Sequence, residues 1–200
     1  CEVSGIRNIL FVTGDPPKLG NYPFASGVFD VDSIGMCEVQ RWLNQGIDIG
    51  GEAIEPKTSA VIGVGVDPSR LDQELELKRF HEKVGAGAEF AITQPVFDLD
   101  ALNLFLDRIQ HLGIPIIAGV WPLASLRNAT FLQNEVPGVV IPESIMKRMA
   151  EPEGREEQRQ IGIAIAREAI VKIRDRVAGV QVSAPFGNIQ TALAVMDADE

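Results

Sequence analysis

Cysteine is scarce in these 200 residues: Cys1 and Cys37 are the only two, and they form neither a Cys-x-x-Cys pair nor a metal-ligand spacing. A disulfide framework and a structural zinc are therefore not expected. Cys37 lies inside a helical pattern and reads as a small apolar packing residue. Histidine is equally scarce. His81 and His111 both fall on helices, away from strand ends and outside any carboxylate–histidine pattern, so each reads as a surface or packing residue. No apolar run approaches the roughly 20 residues that a membrane helix needs. The first residues also lack the basic-then-apolar layout of a signal peptide. A soluble, cytoplasmic protein with no membrane partner is the expectation. Basic residues are outnumbered, 18 against 28, for a net charge of -10. No basic stripe exists for nucleic acid to lie on, so no nucleic-acid partner is expected. Small anions remain open, because strand-end amides and one or two local cations can hold them. No strand ends in a lysine, which argues against a Schiff-base aldolase. No dinucleotide fingerprint is present.

Hydrophobic residues make up 46% and charged residues 23%, ordinary for a soluble domain. Strands and helices alternate. Apolar strands are predicted at about 9–12, 60–66, 89–93, 115–120 and 179–183. Helices are predicted at about 32–44, capped by Asp32 and ended by Gly46, and at 71–84, with Leu77, Phe80 and Val84 inward. The next follows Asp98, with Leu102, Leu106, Ile109 and Leu112 as its buried stripe. Further helices are predicted at about 125–134, after Pro142, at 155–175 (Ile161, Ile165, Ala169 and Ile173 inward) and at 188–195. Short apolar strands between amphipathic helices imply a parallel sheet covered by helices. Five such βα units fit an open sheet, or the last part of an eight-unit barrel. There is no repeat or long linker, and residues 1–200 read as one domain. The stretch near Pro56 reads as a loop.

Two strand ends carry polar side chains followed by proline. Ile9-Leu10-Phe11-Val12 opens into Thr13-Gly14-Asp15-Pro16-Pro17, and Phe90-Ala91-Ile92-Thr93 into Gln94-Pro95. In α/β folds that end of a strand is where ligands gather. Gly63 and Gly65, in the second strand, would let a backbone or a flat ligand approach.

The string Val12-Thr-Gly-Asp-Pro-Pro-Lys18, followed by Phe29-Asp-Val-Asp-Ser33, resembles the methylenetetrahydrofolate reductase family. So do Glu82-Lys-Val-Gly-Ala-Gly-Ala88 running into Ala91-Ile-Thr-Gln-Pro-Val-Phe97, and Gly119-Val-Trp-Pro122. The resemblance covers nearly the whole chain in matching order. Pro16-Pro17-Lys18 and Phe29–Ser33 look closest to the reductase half of bacterial bifunctional proteins with an upstream homocysteine methyltransferase domain. It implies a (β/α)8 TIM barrel, of which this chain would supply the fourth to eighth βα units. It further implies FAD as cofactor, NADH or NADPH as reductant, and a folate substrate. The reaction would be reduction of 5,10-methylenetetrahydrofolate to 5-methyltetrahydrofolate, a step of one-carbon metabolism and methionine biosynthesis.

Residue by residue, Asp15 resembles the aspartate near flavin and folate, where a carboxylate tunes the flavin or stabilises a cationic intermediate. Its structural alternative is a turn residue. Gln94 resembles the glutamine that contacts the pterin with both donor and acceptor. Lys83 matches a lysine beside the flavin diphosphate, against the alternative of a solvated helix face. Glu82, next to it, stands where some relatives carry arginine. Thr13, Gly14, Phe29, Asp30 and Ser33 would wall the cofactor cleft, Gly14 by permitting close approach; Phe29 reads equally as core. Asp67 would lie near the adenine side. Leu132 stands where some relatives place a phenylalanine that holds folate or nicotinamide, against a core reading. Met36, Met146 and Met149 read as core. Trp121 reads as a pocket-mouth residue or a buried anchor.

The resemblance assigns the proton-donating glutamate to a first barrel strand upstream of Cys1. The expectation is therefore a partial barrel that does not turn over alone. The alternative is a non-catalytic flavin- or folate-binding or assembly module that needs a partner chain. In either case, homo-oligomerisation or association through exposed barrel edges is expected.

Overall fold

The computed structural model describes residues 2–136 and 138–197. Cys1 lies outside the described residues. Five strands form one parallel sheet in the order β1-β2-β3-β4-β5. They are β1 (Asn8–Phe11), β2 (Val61–Val66), β3 (Phe90–Pro95), β4 (Ile116–Val120) and β5 (Gly179–Val182). The helices are α1 (Ser33–Gln45), α2 (Gln73–Gly85), α3 (Leu99–Ile109), α4 (Leu126–Glu135), α5 (Glu143–Ala150), α6 (Arg155–Ile173) and α7 (Ile189–Met196). The α/β expectation and its five strands hold. No helix among the described residues is long and apolar enough to cross a membrane.

The helix boundaries follow local chemistry. Asp32 accepts the N–H groups of Ile34 and Gly35 and starts α1, and Gly46, at φ 86°, ends it in the left-handed region that glycine adopts freely. Asp98 caps α3, Ser125 caps α4 and Asn188 caps α7. Each such cap stabilises its helix by about 1 kcal/mol. Helix α2 begins two residues later than the periodicity suggested. The Asp72 carboxylate accepts the Leu75 N–H there and fixes the start.

The chain divides into two compact units. The first comprises Cys1–Gly65 and Lys78–Ala91. In it β1 pairs with β2, Asn8 opposite Val61 through Phe11 opposite Val64. Gln40 on α1 donates to Asn44 and Thr58, and Asn44 exchanges hydrogen bonds with the Ala60 backbone, tying the helix to the segment that enters β2. Cys37 is fully buried and free of any disulfide, as its packing role requires.

The second unit comprises Val66–Leu77 and Ile92–Glu200. Strands β4 and β5 run in register from Ile117 opposite Gly179 to Val120 opposite Val182. Helix α6 lies between two apolar clusters. Ile161 and Ile165 face one, with Leu123, Ala129 and Met149; Ile163, Ala166 and Ile170 face the other, with Val120 and Val195. Its buried surface is thus wider than the single predicted stripe. At Gly162 a β-carbon would come within 1.8 Å of the Leu123 carbonyl oxygen, so the helix rests on the backbone that leaves β4.

Candidate functional site

In the first unit, β1 ends and the chain becomes irregular and exposed through Thr13, Gly14 and Asp15. Thr13 Oγ1 accepts the Ser33 N–H at 3.0 Å, so the end of β1 is pinned to the start of α1. Ser33 itself is buried, whereas Phe29 and Asp30 lie in an exposed stretch. Phe29 is 52% exposed, so it is not a core residue. No atom outside the immediate chain lies within 4 Å of where a Gly14 side chain would begin.

The two glycines of β2 differ. The Phe90 ring fills the space over Gly63, 2.2 Å from where a β-carbon would stand, so that position is packed core. Over Gly65 only Val12 Cγ1 comes near, at 3.8 Å, and the strand face stays approachable there. The Gly65 carbonyl accepts from Lys83 Nζ at 2.7 Å. Lys83 is therefore not on a solvated helix face: it is 8% exposed, and its ammonium is brought to the strand. Burial pushes the Cys37 thiol up to about 11, against the opposing pull of the Lys83 charge. Asp32, read from sequence only as a cap, also pairs with Arg79 on α2 at 2.9 Å. That arginine and the hydrogen bonds from Gly35 and Ile34 hold its carboxyl below the usual range.

In the second unit, Gln94, the last residue but one of β3, is exposed. The joint behind it is built by Thr93. Its hydroxyl accepts the Gly119 N–H at 2.9 Å and donates to the Gln94 carbonyl at 2.7 Å, while Val96 donates to the Gly119 carbonyl. A side chain at Gly119 would start 2.6 Å from the Thr93 carbonyl oxygen, so only glycine allows this approach. Trp121, just past β4, is half-buried against the apolar cluster, and its indole nitrogen is buried without a hydrogen-bond partner. Leu132 packs against the same cluster, as do Met146 and, at its centre, Met149.

Asp67 follows β2 and is half-buried. Its carboxylate accepts the Ser69 N–H, and its own N–H donates to Glu76, whose carboxylate is buried and paired with Arg70 at 3.2 Å. Burial, reinforced by the Glu76 charge, raises the Asp67 carboxyl above its ordinary range. Glu76, Thr93 and Arg79 escaped the sequence reading. Helical spacing makes Glu76 and Arg79 resemble any solvated charge, and Thr93 resembles any strand residue. Among the described residues no cluster of His, Cys, Asp and Glu could hold a metal ion.

Each unit thus presents an exposed polar strand end beside a hydrogen-bonded joint, at the positions the motifs marked. Methylenetetrahydrofolate reductase 2 of Saccharomyces cerevisiae is 28% identical over 179 residues, covering 86% of this chain and 28% of that protein. Methylenetetrahydrofolate reductase (NADH) 1 of Arabidopsis thaliana is 29% identical over 145 residues, covering 67% and 24%. The 5,10-methylenetetrahydrofolate reductase of Salmonella typhimurium is 29% identical over 128 residues, covering 63% and 38%. The chain therefore spans well under half the length of these relatives. The sequence model of the methylenetetrahydrofolate reductase family matches residues 1–183, more than nine tenths of the chain, and by that match the chain belongs to this family.

Proposed function

We propose that this chain contributes to the FAD-dependent reduction of 5,10-methylenetetrahydrofolate to 5-methyltetrahydrofolate by a reduced nicotinamide. The observation that carries the reading is the family match over residues 1–183 with Thr13, Gly14, Asp15 and Gln94 at exposed strand ends. The residues fit a flat cofactor. The space over Gly14 and Gly65 is uncrowded, and a buried cation, Lys83, stands at β2. Bound FAD would supply the two-electron carrier between nicotinamide and folate.

The chain's own residues then have distinct tasks. Thr13, Gly14 and Ser33 fix the backbone at the end of β1, and Lys83 supplies positive charge to the cofactor's anionic part. Asp67 is assigned to the adenine side. Asp15 places a carboxylate where positive charge develops on the folate. Gln94 offers an amide to the pterin edge, accepting and donating at once. Leu132 contributes apolar surface. The proton donor is assigned to a strand supplied by the remainder of the barrel, in line with the chain's share of its relatives' length. The Arabidopsis relative's name specifies NADH, and NADH is taken as the first reductant to test.

Association through open edges belongs to the same reading. β1 ends the sheet with Leu10 and Val12 exposed, and α7 shows Ile189, Leu193 and Met196 to solvent. The experiment is a visible spectrum followed by half-reaction kinetics of the complete protein. Yellow protein is expected, and Asp15→Asn should slow oxidation of the reduced flavin by methylenetetrahydrofolate more than reduction of the flavin by NADH. Equal slowing of both, or protein that takes up no FAD, would reject the assignment.

A further inference from the structure

A cavity of about 420 Å³ lies within the second unit where α3, α5 and α6 meet. That volume accommodates a small molecule. None of the residues assigned above to flavin or folate lines it. Its apolar part continues the core: Phe97 and Ile165 are buried there, and with Ile145 they belong to the cluster around Leu123 and Met149.

The polar lining is divided by sign between two helices. At the start of α3, Asp98 and Asp100 supply carboxylates, and neither enters an ion pair among the described residues. Asp98 caps α3 with Oδ1 alone, which accepts the Asp100 and Ala101 N–H groups. One turn on, Asn103 also lines the cavity, and its Oδ1 is buried without a hydrogen-bond partner. An unpaired buried acceptor is a standing cost to the free chain, and a ligand that brings a donor removes it. On α6, Glu168 is matched by Arg148 of α5 through two bonds at 2.7 Å, and that guanidinium holds its carboxyl below the usual range. The pair neutralises itself. Lys172, one turn further along α6, enters no ion pair or side-chain hydrogen bond among the described residues. Its ammonium is the cation of this lining that no carboxylate has claimed.

Acceptors on α3, a cation on α6 and an apolar surface suit a small zwitterion with an apolar side chain. A simple amine would leave Lys172 unused. A simple carboxylate would leave Asn103 unpaired and would face Asp98 and Asp100. We propose that this cavity binds a free α-amino acid with an apolar side chain. Its ammonium donates to Asn103 Oδ1 beside the Asp98 and Asp100 carboxylates, its carboxylate meets Lys172, and its side chain lies on Phe97, Ile145 and Ile165. The inference is independent of the flavin and folate reading.

Calorimetry on the full chain would use L-leucine, isoamylamine, which is leucine without its carboxylate, and isocaproate, which is leucine without its ammonium. Leucine should bind about tenfold more tightly than either, the worth of one charge-assisted bond. Asn103→Ala should weaken leucine and the amine about tenfold and leave isocaproate unchanged. Lys172→Gln should weaken leucine and isocaproate and spare the amine. Arg174→Ala, an exposed arginine outside the cavity, should change none of them. Circular dichroism would verify that each variant is folded, and Lys172 is exposed, so its variant decides the matter should Asn103→Ala fail to fold. The inference is overturned if leucine shows no binding at millimolar concentration, or if either folded variant leaves leucine binding as it was. If the amine binds as tightly as leucine, the cavity is a cation site and the inference fails. No flavin or folate enters these titrations, so either reading can fall without the other.

Discussion

The Gly119 N–H donates to Thr93 Oγ1 rather than to a backbone carbonyl, at 2.9 Å. A side-chain hydroxyl thus stands in for a ladder partner where β3 and β4 reach their C-terminal ends, just behind Gln94. Thr93→Val keeps the shape but strands a buried donor, and should cost about 1–3 kcal/mol. Thr93→Ser should cost much less. Gly119→Ala forces a β-carbon onto the Thr93 carbonyl and should cost about 1–3 kcal/mol by overpacking. Urea denaturation of the three variants gives the ordering; a Thr93→Val chain as stable as wild type would remove the joint's assigned role.

Asp32 both caps α1 and pairs with Arg79, and the two contributions are separable. Asp32→Asn keeps an oxygen for the cap and loses the ion pair, which is partly solvent-exposed and screened, for less than about 1 kcal/mol. Asp32→Ala loses both, for about 1–2 kcal/mol. The folded carboxyl lies below its unfolded value, so its stabilisation is complete above the ordinary carboxylate range and is lost as pH falls through the lowered value. The stability gap between wild type and Asp32→Asn should close on acidification. Thermal melts across acid pH measure it.

Asp67 has the opposite sign. Its carboxyl is raised in the fold, so ionisation at neutral pH works against folding. Asp67→Asn, which keeps an acceptor for the Ser69 N–H, should raise the melting temperature at pH 7. The gain should fade as pH falls from the raised value to the unfolded one. A stabilisation independent of pH would point to packing rather than charge.

Cys37 should be inert. Its thiol is buried and stays protonated at physiological pH, so it is a poor nucleophile. In a Cys1→Ser background, iodoacetamide should leave the native protein unlabelled and react rapidly in urea. Fast labelling of the native chain would contradict the burial.

The exposed apolar residues make association measurable. Val12→Lys combined with Leu193→Lys should shift sedimentation toward monomer. Unchanged sedimentation would remove the β1 edge and the α7 stripe as contact surfaces.

What sequence reading captured was local. Asp32, Asp98 and Ser125 start helices because a capping carboxylate or hydroxyl acts within three residues, and the five strands stand out as short apolar runs. What it missed joins distant positions. Asp32 and Arg79 are 47 residues apart, and nothing in either segment announces the other. Gly63 and Gly65 look alike in the chain, yet only packing shows that Phe90 covers the first and leaves the second accessible. Lys83 reads as one more charge on a polar helix until the fold turns it toward β2.

The ring of Phe90 seated over Gly63 links the fates of two positions in neighbouring strands. A scan that changes one residue at a time will score both as intolerant: a side chain at 63 collides with the ring, and a smaller residue at 90 leaves a hole. A library varying the pair together should recover working combinations, with bulk moved from one strand to the other. The two sites are best treated as a single unit of volume when this sheet is engineered or its variants are interpreted.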